Sequence, residues 1–217
     1  MLIQSTINSF GSIAMAGSTA GGNIEGFVWT AMDAFTQSTL SFTGQNYGAK
    51  KFHRITKVVW YNLGLVTVVG LVLGIGAYLV GPWVLQVYSS DPEVIAYGLE
   101  RMLLVCTPYA LCGVMNVLVG AMRGLGSSLT PMVVSIFGVC VLRVVWIYTV
   151  FPLDPSFAML FLSYPVTWAV TAAIEVVCFF VIPEKRRLPA PAVWLRTRIN
   201  HDSVERRPWL FARGFVL

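Results

Sequence analysis

The chain has 217 residues, of which 56% are hydrophobic and 12% charged, with a mean hydropathy of +0.72. Soluble domains carry about 25% charge, so composition excludes an ordinary soluble enzyme or binding module. The formal charge of +5 sits at one end: residues 184–217 hold eight Lys/Arg against three Asp/Glu while the rest balances, so no nucleic-acid partner is needed to explain it.

Residues 1–20 read as part of a membrane span, polar for one and cut short. Gln4, Ser5, Asn8 and Ser9 interrupt its apolar run and no basic residue precedes it, which is not the pattern of a signal peptide. Full spans are expected at about 24–46, 58–80, 94–120, 131–151 and 157–182, each near the 20 apolar residues that cross a bilayer core. Val58–Pro82, Met102–Met122 and Gly124–Leu142 contain no Lys, Arg, Asp or Glu. The linkers are short and rich in turn formers, as in Ser89-Ser90-Asp91-Pro92 and Phe151-Pro152-Leu153-Asp154-Pro155. Consecutive spans are therefore antiparallel neighbours. The expected fold is an all-α integral membrane bundle of six transmembrane helices, the first incomplete, over 1–183, with a basic cytoplasmic tail over 184–217.

Between the first two full spans lies LSFTGQNYGAKKFHRITK. A phosphate-binding loop needs four residues between its glycines and then Lys-Ser/Thr. Here three residues separate Gly44 from Gly48, and Lys51 stands where Ser/Thr should be. The stretch is instead a helix end at the membrane surface. Lys50, Lys51, Arg54 and Lys57 follow one span, Arg123 another, and Lys185, Arg186 and Arg187 the last, whereas linkers 81–93 and 152–156 contain no Lys or Arg. The positive-inside rule then makes the C-terminus cytoplasmic and residue 24 extracytoplasmic in a multi-pass cell-membrane protein. The four cysteines all lie in apolar segments without CxxC spacing, so they read as packing residues.

Polar residues inside the spans mark candidate function. Thr30, Asp33, Gln37, Ser41 and Gln45 share one helical face. Tyr109, Cys112, Asn116, Gly120 and Arg123 form a second stripe; Tyr164, Trp168, Thr171 and Glu175 a third; Gln4, Asn8 and Ser12 a fourth. Lipid cannot solvate such faces, so the expectation is that they turn together around a central hydrated cavity. Gly70/Gly74 and Gly120/Gly124 allow helices to approach closely. Asp33 and Arg143 both fall near the bilayer middle, and an ion pair between them is expected. Glu175 lies nearer the cytoplasm, at about the depth of Asn116, as a candidate cation-binding carboxylate. Glu100 and Arg101 fall near the outer interface as structural groups. No HExxH, nucleophile elbow or acid pair is present, so an enzyme is not expected.

The runs INSFGSIAMAGSTAGGNIEGF, SFTGQNYGAKKFHRI, YSSDPEVIAYG and VGAMRGLGSSLTPM, followed by LRVVWIY, together resemble the multidrug and toxic compound extrusion (MATE) family over about residues 1–182. The resemblance is to the second half of such a transporter. It implies one repeat of a two-bundle transporter that exports organic cations and drugs in exchange for Na⁺ or H⁺, with no other cofactor. The partners it implies are the lipid bilayer and a missing N-terminal six-helix half or a second copy of the chain. Asp33, Gln37, Asn116, Glu175 and Arg143 are the candidate cation- and substrate-binding residues, and Tyr109, Tyr164 and Trp168 offer ring faces to a lipophilic cation. One departure is specific: many members carry an Asp eight residues before the Gly of the Arg123-Gly124 pair, where this chain has Asn116. The amide can ligate Na⁺ but cannot exchange a proton. Alternatives are a lipid-linked oligosaccharide flippase of the same superfamily, or a truncated or accessory membrane subunit that transports nothing.

Overall fold

The computed structural model describes residues 2–186, with side chains placed over residues 3–181. Every regular element among them is helical: α1 (Leu2–Ser9), α2 (Ser12–Gly48), α3 (Phe52–Tyr88), α4 (Pro92–Cys106), α5 (Tyr109–Gly124), α6 (Leu129–Ser135), a π-helical turn (Ile136–Val141), α7 (Leu142–Thr149), a 3₁₀ turn (Phe151–Leu153) and α8 (Phe157–Arg186). Among the described residues, α3, the run Leu129–Leu153 and Phe157–Val181 are long and apolar enough to cross a membrane, and α4 with α5 passes the same test jointly as a bent pair. α2, which holds the span expected at 24–46, is long enough but too polar to pass it. The tail expected over 184–217 lies outside the described residues beyond Arg186.

Three boundaries differ from the sequence expectation, each for a local reason. The span expected at 94–120 is broken after Cys106, and its halves meet at 44°. Pro108 has no N–H to donate and its ring obstructs the preceding turn, so the helix bends there. The first break falls at Gly11, whose φ of 95° suits glycine, and not at residues 20–24. Gly21 and Gly22 stay helical because they are a packing surface. A Cβ on Gly21 would stand 3.1 Å from the Gly98 carbonyl, and one on Gly22 would stand 3.0 Å from the Arg101 guanidinium. Residues 12–20 therefore belong to α2, and the short first segment is only α1. Finally, the span over 131–151 carries a π turn at its centre, a feature that adds one residue to a turn and re-aims the side chains beyond it.

α2 is the spine on which α3, α4 and α5 pack. Its buried face runs Ile24, Val28, Met32, Thr36, Thr39 and Thr43, the spacing of one helical stripe. The glycines expected to permit close approach do so. Cβ atoms on Gly70 and Gly120 would stand 3.0 Å from the Ala110 Cα and 2.7 Å from the Thr36 carbonyl oxygen, and Gly74 abuts the Cys106 carbonyl. α8 joins this group to α6 and α7: Phe157 meets Phe10 and Tyr97 edge-on, Tyr109 meets Trp168, and the Trp146 indole donates to the Met159 carbonyl at 3.1 Å. The outward side of α3 shows Trp60, Leu65, Val72, Leu79, Trp83 and Val87. So continuous an apolar surface is stable against lipid and not against water.

The α2–α3 turn forms as its sequence suggests. Lys50 takes φ 57°, and the N–H groups of Ala49, Lys50 and Lys51 close on the Gln45, Tyr47 and Asn46 carbonyls. Asn46 Nδ2 donates to the Phe42 carbonyl at 2.8 Å. Gly44 lies against the Gly124 carbonyl, which puts the basic cluster and Arg123 at the same end of the bundle.

Candidate functional site

The polar stripes do not converge. Thr30, Asp33, Gln37, Ser41 and Gln45 are exposed on the side of α2 opposite its packing face, where Phe27, Trp29 and Phe42 are exposed as well. Threonine hydroxyls bond back into the helix, as Thr30 does to the Gly26 carbonyl at 3.0 Å. Gln45 Nε2 donates to Ser41 Oγ at 3.3 Å. Asp33 has no ion-pair or hydrogen-bond partner among the described residues. α2 thus presents an unpartnered carboxylate and amide outward from this bundle. Gln4, Asn8 and Ser12 are exposed as well.

The stripes of α5 and α8 turn inward. Tyr109, Cys112 and Gly120 are buried, Asn116 is half-buried, and its Nδ2 donates to Cys112 Sγ at 3.4 Å. Gly120 packs on Thr36 and Gly113 on Met32, so Asn116 stands level with Asp33 but on another face of the bundle. Trp168 packs edge-on to both Tyr109 and Tyr164, at 5.4 and 5.8 Å between ring centroids. These three aromatics form one cluster. The face of Tyr164 carries the Arg143 guanidinium at 3.9 Å, so that ring already holds a cation belonging to the chain.

Glu175 is fully buried, at 0% exposure. Ser135, the residue before the π turn, donates its hydroxyl to Oε1 at 3.1 Å, while Oε2 is buried with no partner. The π turn also brings Gly138 against Thr171, one helical turn from Glu175. A carboxyl group with one donor and one orphan oxygen, in a spanning helix, is the most costly polar feature of the bundle.

Arg143 and Asp33 form no ion pair, which corrects the sequence expectation. Arg143 Nη2 donates to Thr167 Oγ1 at 3.2 Å, on the inner side of α7, whereas Asp33 points away from the bundle. Among the described residues the ion pair is Arg101–Glu25, with Nη2 to Oε2 at 2.7 Å and both side chains 16% exposed. Arg101 Nη1 also donates to the carbonyl and hydroxyl of Ser18, each at 2.8 Å, and its guanidinium lies 5.2 Å from the Phe161 ring. Sequence reasoning missed Glu25 because it stood at the supposed start of a span. The available signal was a lone acid following Gly21-Gly22, across from a lone arginine in a neighbouring span. No group of three or more His, Cys, Asp or Glu among the described residues is placed to hold a metal ion.

The profile of the MatE family matches residues 1–149. The chain is 26% identical over 120 residues to the probable multidrug resistance protein NorM of Caulobacter vibrioides, covering 55% of this chain and 26% of that one. It is 25% identical over 137 residues to the probable multidrug resistance protein YoeA of Bacillus subtilis, covering 63% and 30%. A point mutant of the Vibrio cholerae MATE transporter VcmN superposes with a TM-score of 0.77 at 19% identity, over 86% of this chain and 42% of that one. The MATE transporter ClbM in complex with Rb⁺ superposes at 0.75 and 18% identity, over 93% and 44%. The chain thus spans less than half the length of each of these proteins, and the structural likeness is one of fold.

Proposed function

Because this chain belongs to the MatE family, we propose that it is one bundle of a two-bundle secondary transporter that exports amphiphilic organic cations in exchange for Na⁺ or H⁺. The observation that carries the reading is the outward carboxylate and amide of Asp33 and Gln37 on α2. A helix within a membrane bundle cannot keep such a face against lipid, so a second bundle covers it and encloses water. That bundle is a six-helix first half or a second copy of the chain, and the substrate passes between the two. Asp33 supplies charge to the cationic substrate there, and Gln37 hydrogen-bonds beside it.

Coupling falls to the inner carboxyl. Glu175, with Ser135 on one oxygen and none on the other, is completed by a proton or a small cation. Asn116 contributes an amide carbonyl to a metal cation and cannot carry a proton. Tyr109 and Trp168 brace the helices around this point, and Tyr164 fixes Arg143. The basic α2–α3 turn and Arg123 face the cytoplasm.

Ethidium efflux is the test, in cells expressing the chain alone for a self-paired transporter and beside a first six-helix bundle for a two-half one. Asp33→Asn and Glu175→Gln are each expected to lower cation-coupled efflux several-fold. Wild-type rates from both variants sink the proposed ionic roles.

A further inference from the structure

A cavity of about 520 Å³ opens among α1, α4, the π turn, α7 and α8, within the size range of sites for drug-sized ligands. Aliphatic side chains form much of its wall. Its polar lining is Gln4, Cys140, Tyr164, Arg101 and Arg143, and no carboxylate lines it.

The two guanidiniums differ in what compensates them. Arg101 is neutralised by Glu25 at 2.7 Å. Arg143 has no carboxylate within 4.0 Å among the described residues. It donates to the neutral Thr167 hydroxyl and rests on the Tyr164 ring, and like Arg101 it keeps Nε buried without a partner. A hydroxyl and a ring face orient a guanidinium but do not cancel its charge. The cavity therefore holds one uncompensated positive charge at an apolar wall, opposite in sign to the outward face of α2.

We propose that this cavity binds the anionic group of an amphiphile, a carboxylate, sulfonate or phosphate on an apolar body. Arg143 is the counter-ion, its planar fork matched to such oxygens. The Gln4 amide is a second donor, and the aliphatic wall takes the apolar body. The site does not depend on the transport reading, because it lies within one bundle. An acidic lipid and a soluble organic anion share this chemistry.

The test is equilibrium binding of two xanthene dyes of opposite charge, fluorescein and rhodamine 6G, to the full chain in phosphatidylcholine nanodiscs, read by fluorescence anisotropy. Wild type is expected to bind fluorescein, Arg143→Gln to weaken it at least ten-fold, and Arg143→Lys to weaken it less. On the wild-type chain alone, octanesulfonate is expected to displace fluorescein and octyltrimethylammonium is not. This arm holds even where a variant fails to fold. Repeating the titration with phosphatidylglycerol in the nanodisc separates the two sources. Competition assigns the cavity to an acidic lipid, its absence to a soluble organic anion, and either outcome supports an anion site. The proposal is overturned if wild type does not bind fluorescein, if Arg143→Gln leaves that affinity unchanged or weakens both dyes equally, or if the two octyl competitors displace fluorescein alike.

Discussion

Arg101 Nη2 donates to Glu25 Oε2 at 2.7 Å while its Nη1 reaches both oxygens of Ser18, so one side chain of α4 clamps two successive turns of α2. Gly22 makes the clamp possible, because a Cβ there would stand 3.2 Å from the guanidinium carbon. The clamp falls beside the crossing where Gly17 and Gly21 bring the α2 and α4 backbones together. Charge and close packing therefore support the same contact.

Neutralising one member of this pair strands the other in a half-buried site. Removing one partner of a buried pair costs up to about 3–5 kcal/mol, and partial exposure moves this pair toward the low end. Arg101→Gln and Glu25→Gln should each lower the thermal midpoint in detergent more than the double substitution does. Equal or additive losses would show that the ion pair contributes nothing.

The glycine crossings separate from the glycines that touch nothing. Gly74→Ala forces a methyl into the Cys106 carbonyl and Gly120→Ala forces one toward the Thr36 carbonyl. Each should destabilise by roughly 1–3 kcal/mol, the usual cost of overpacking. Gly76 lies on the same helix as Gly74 with nothing within 4 Å of its added Cβ. Gly76→Ala should be neutral or slightly stabilising. Chemical-denaturation midpoints of the three variants check the ranking.

Asp33 is exposed and unpartnered among the described residues, so its removal should leave this bundle's fold intact. Asp33→Asn should shift the stability of the isolated chain by less than about 0.5 kcal/mol, the range for surface substitutions. The same change should lower ethidium efflux. A melting shift as large as that of Arg101→Gln would place the carboxylate in a structural contact instead.

Asp33 and Arg143 sit on unconnected faces, so their effects should add. The double substitution Asp33→Asn/Arg143→Gln should match the sum of the singles within about 0.5 kcal/mol in stability. A larger coupling energy would restore the ion pair that the geometry rules out.

Glu175 and Ser135 share a hydrogen bond across α6 and α8. Ser135→Ala leaves both carboxyl oxygens without a donor and should destabilise by about 1–3 kcal/mol. Ser135→Thr, which keeps the hydroxyl, should recover most of that loss. Thermal melting of the two variants distinguishes the bond from a mere change in volume.

The apolar runs, the short linkers and the Lys/Arg bias were legible because each is a local property. A stretch of about 20 residues without charge is solvated by lipid whatever surrounds it. The basic α2–α3 turn was legible for the same reason, since Gly44–Lys51 ends its helix through its own backbone bonds. The glycine spacing identified close-packed faces at Gly70, Gly74, Gly120 and Gly124. The span boundary expected between residues 20 and 24 falls instead inside α2, where Gly21 and Gly22 serve a helix crossing. Pro108 was visible in the sequence but was absorbed into one span, because an apolar run hides a bend.

The sequence by itself determined an all-helical membrane chain and placed polar stripes on three of its long spans. The tertiary structure alone decided where each stripe points and which charge meets which. Which side of α2 is buried depends on α4 and α5, dozens of residues away, and their packing turned Asp33 outward and Glu25 toward Arg101. The π turn likewise set the direction of Arg143, toward Tyr164. A charge in a membrane is governed by its neighbours in space, and periodicity along one helix carries no information about the face that another helix will cover.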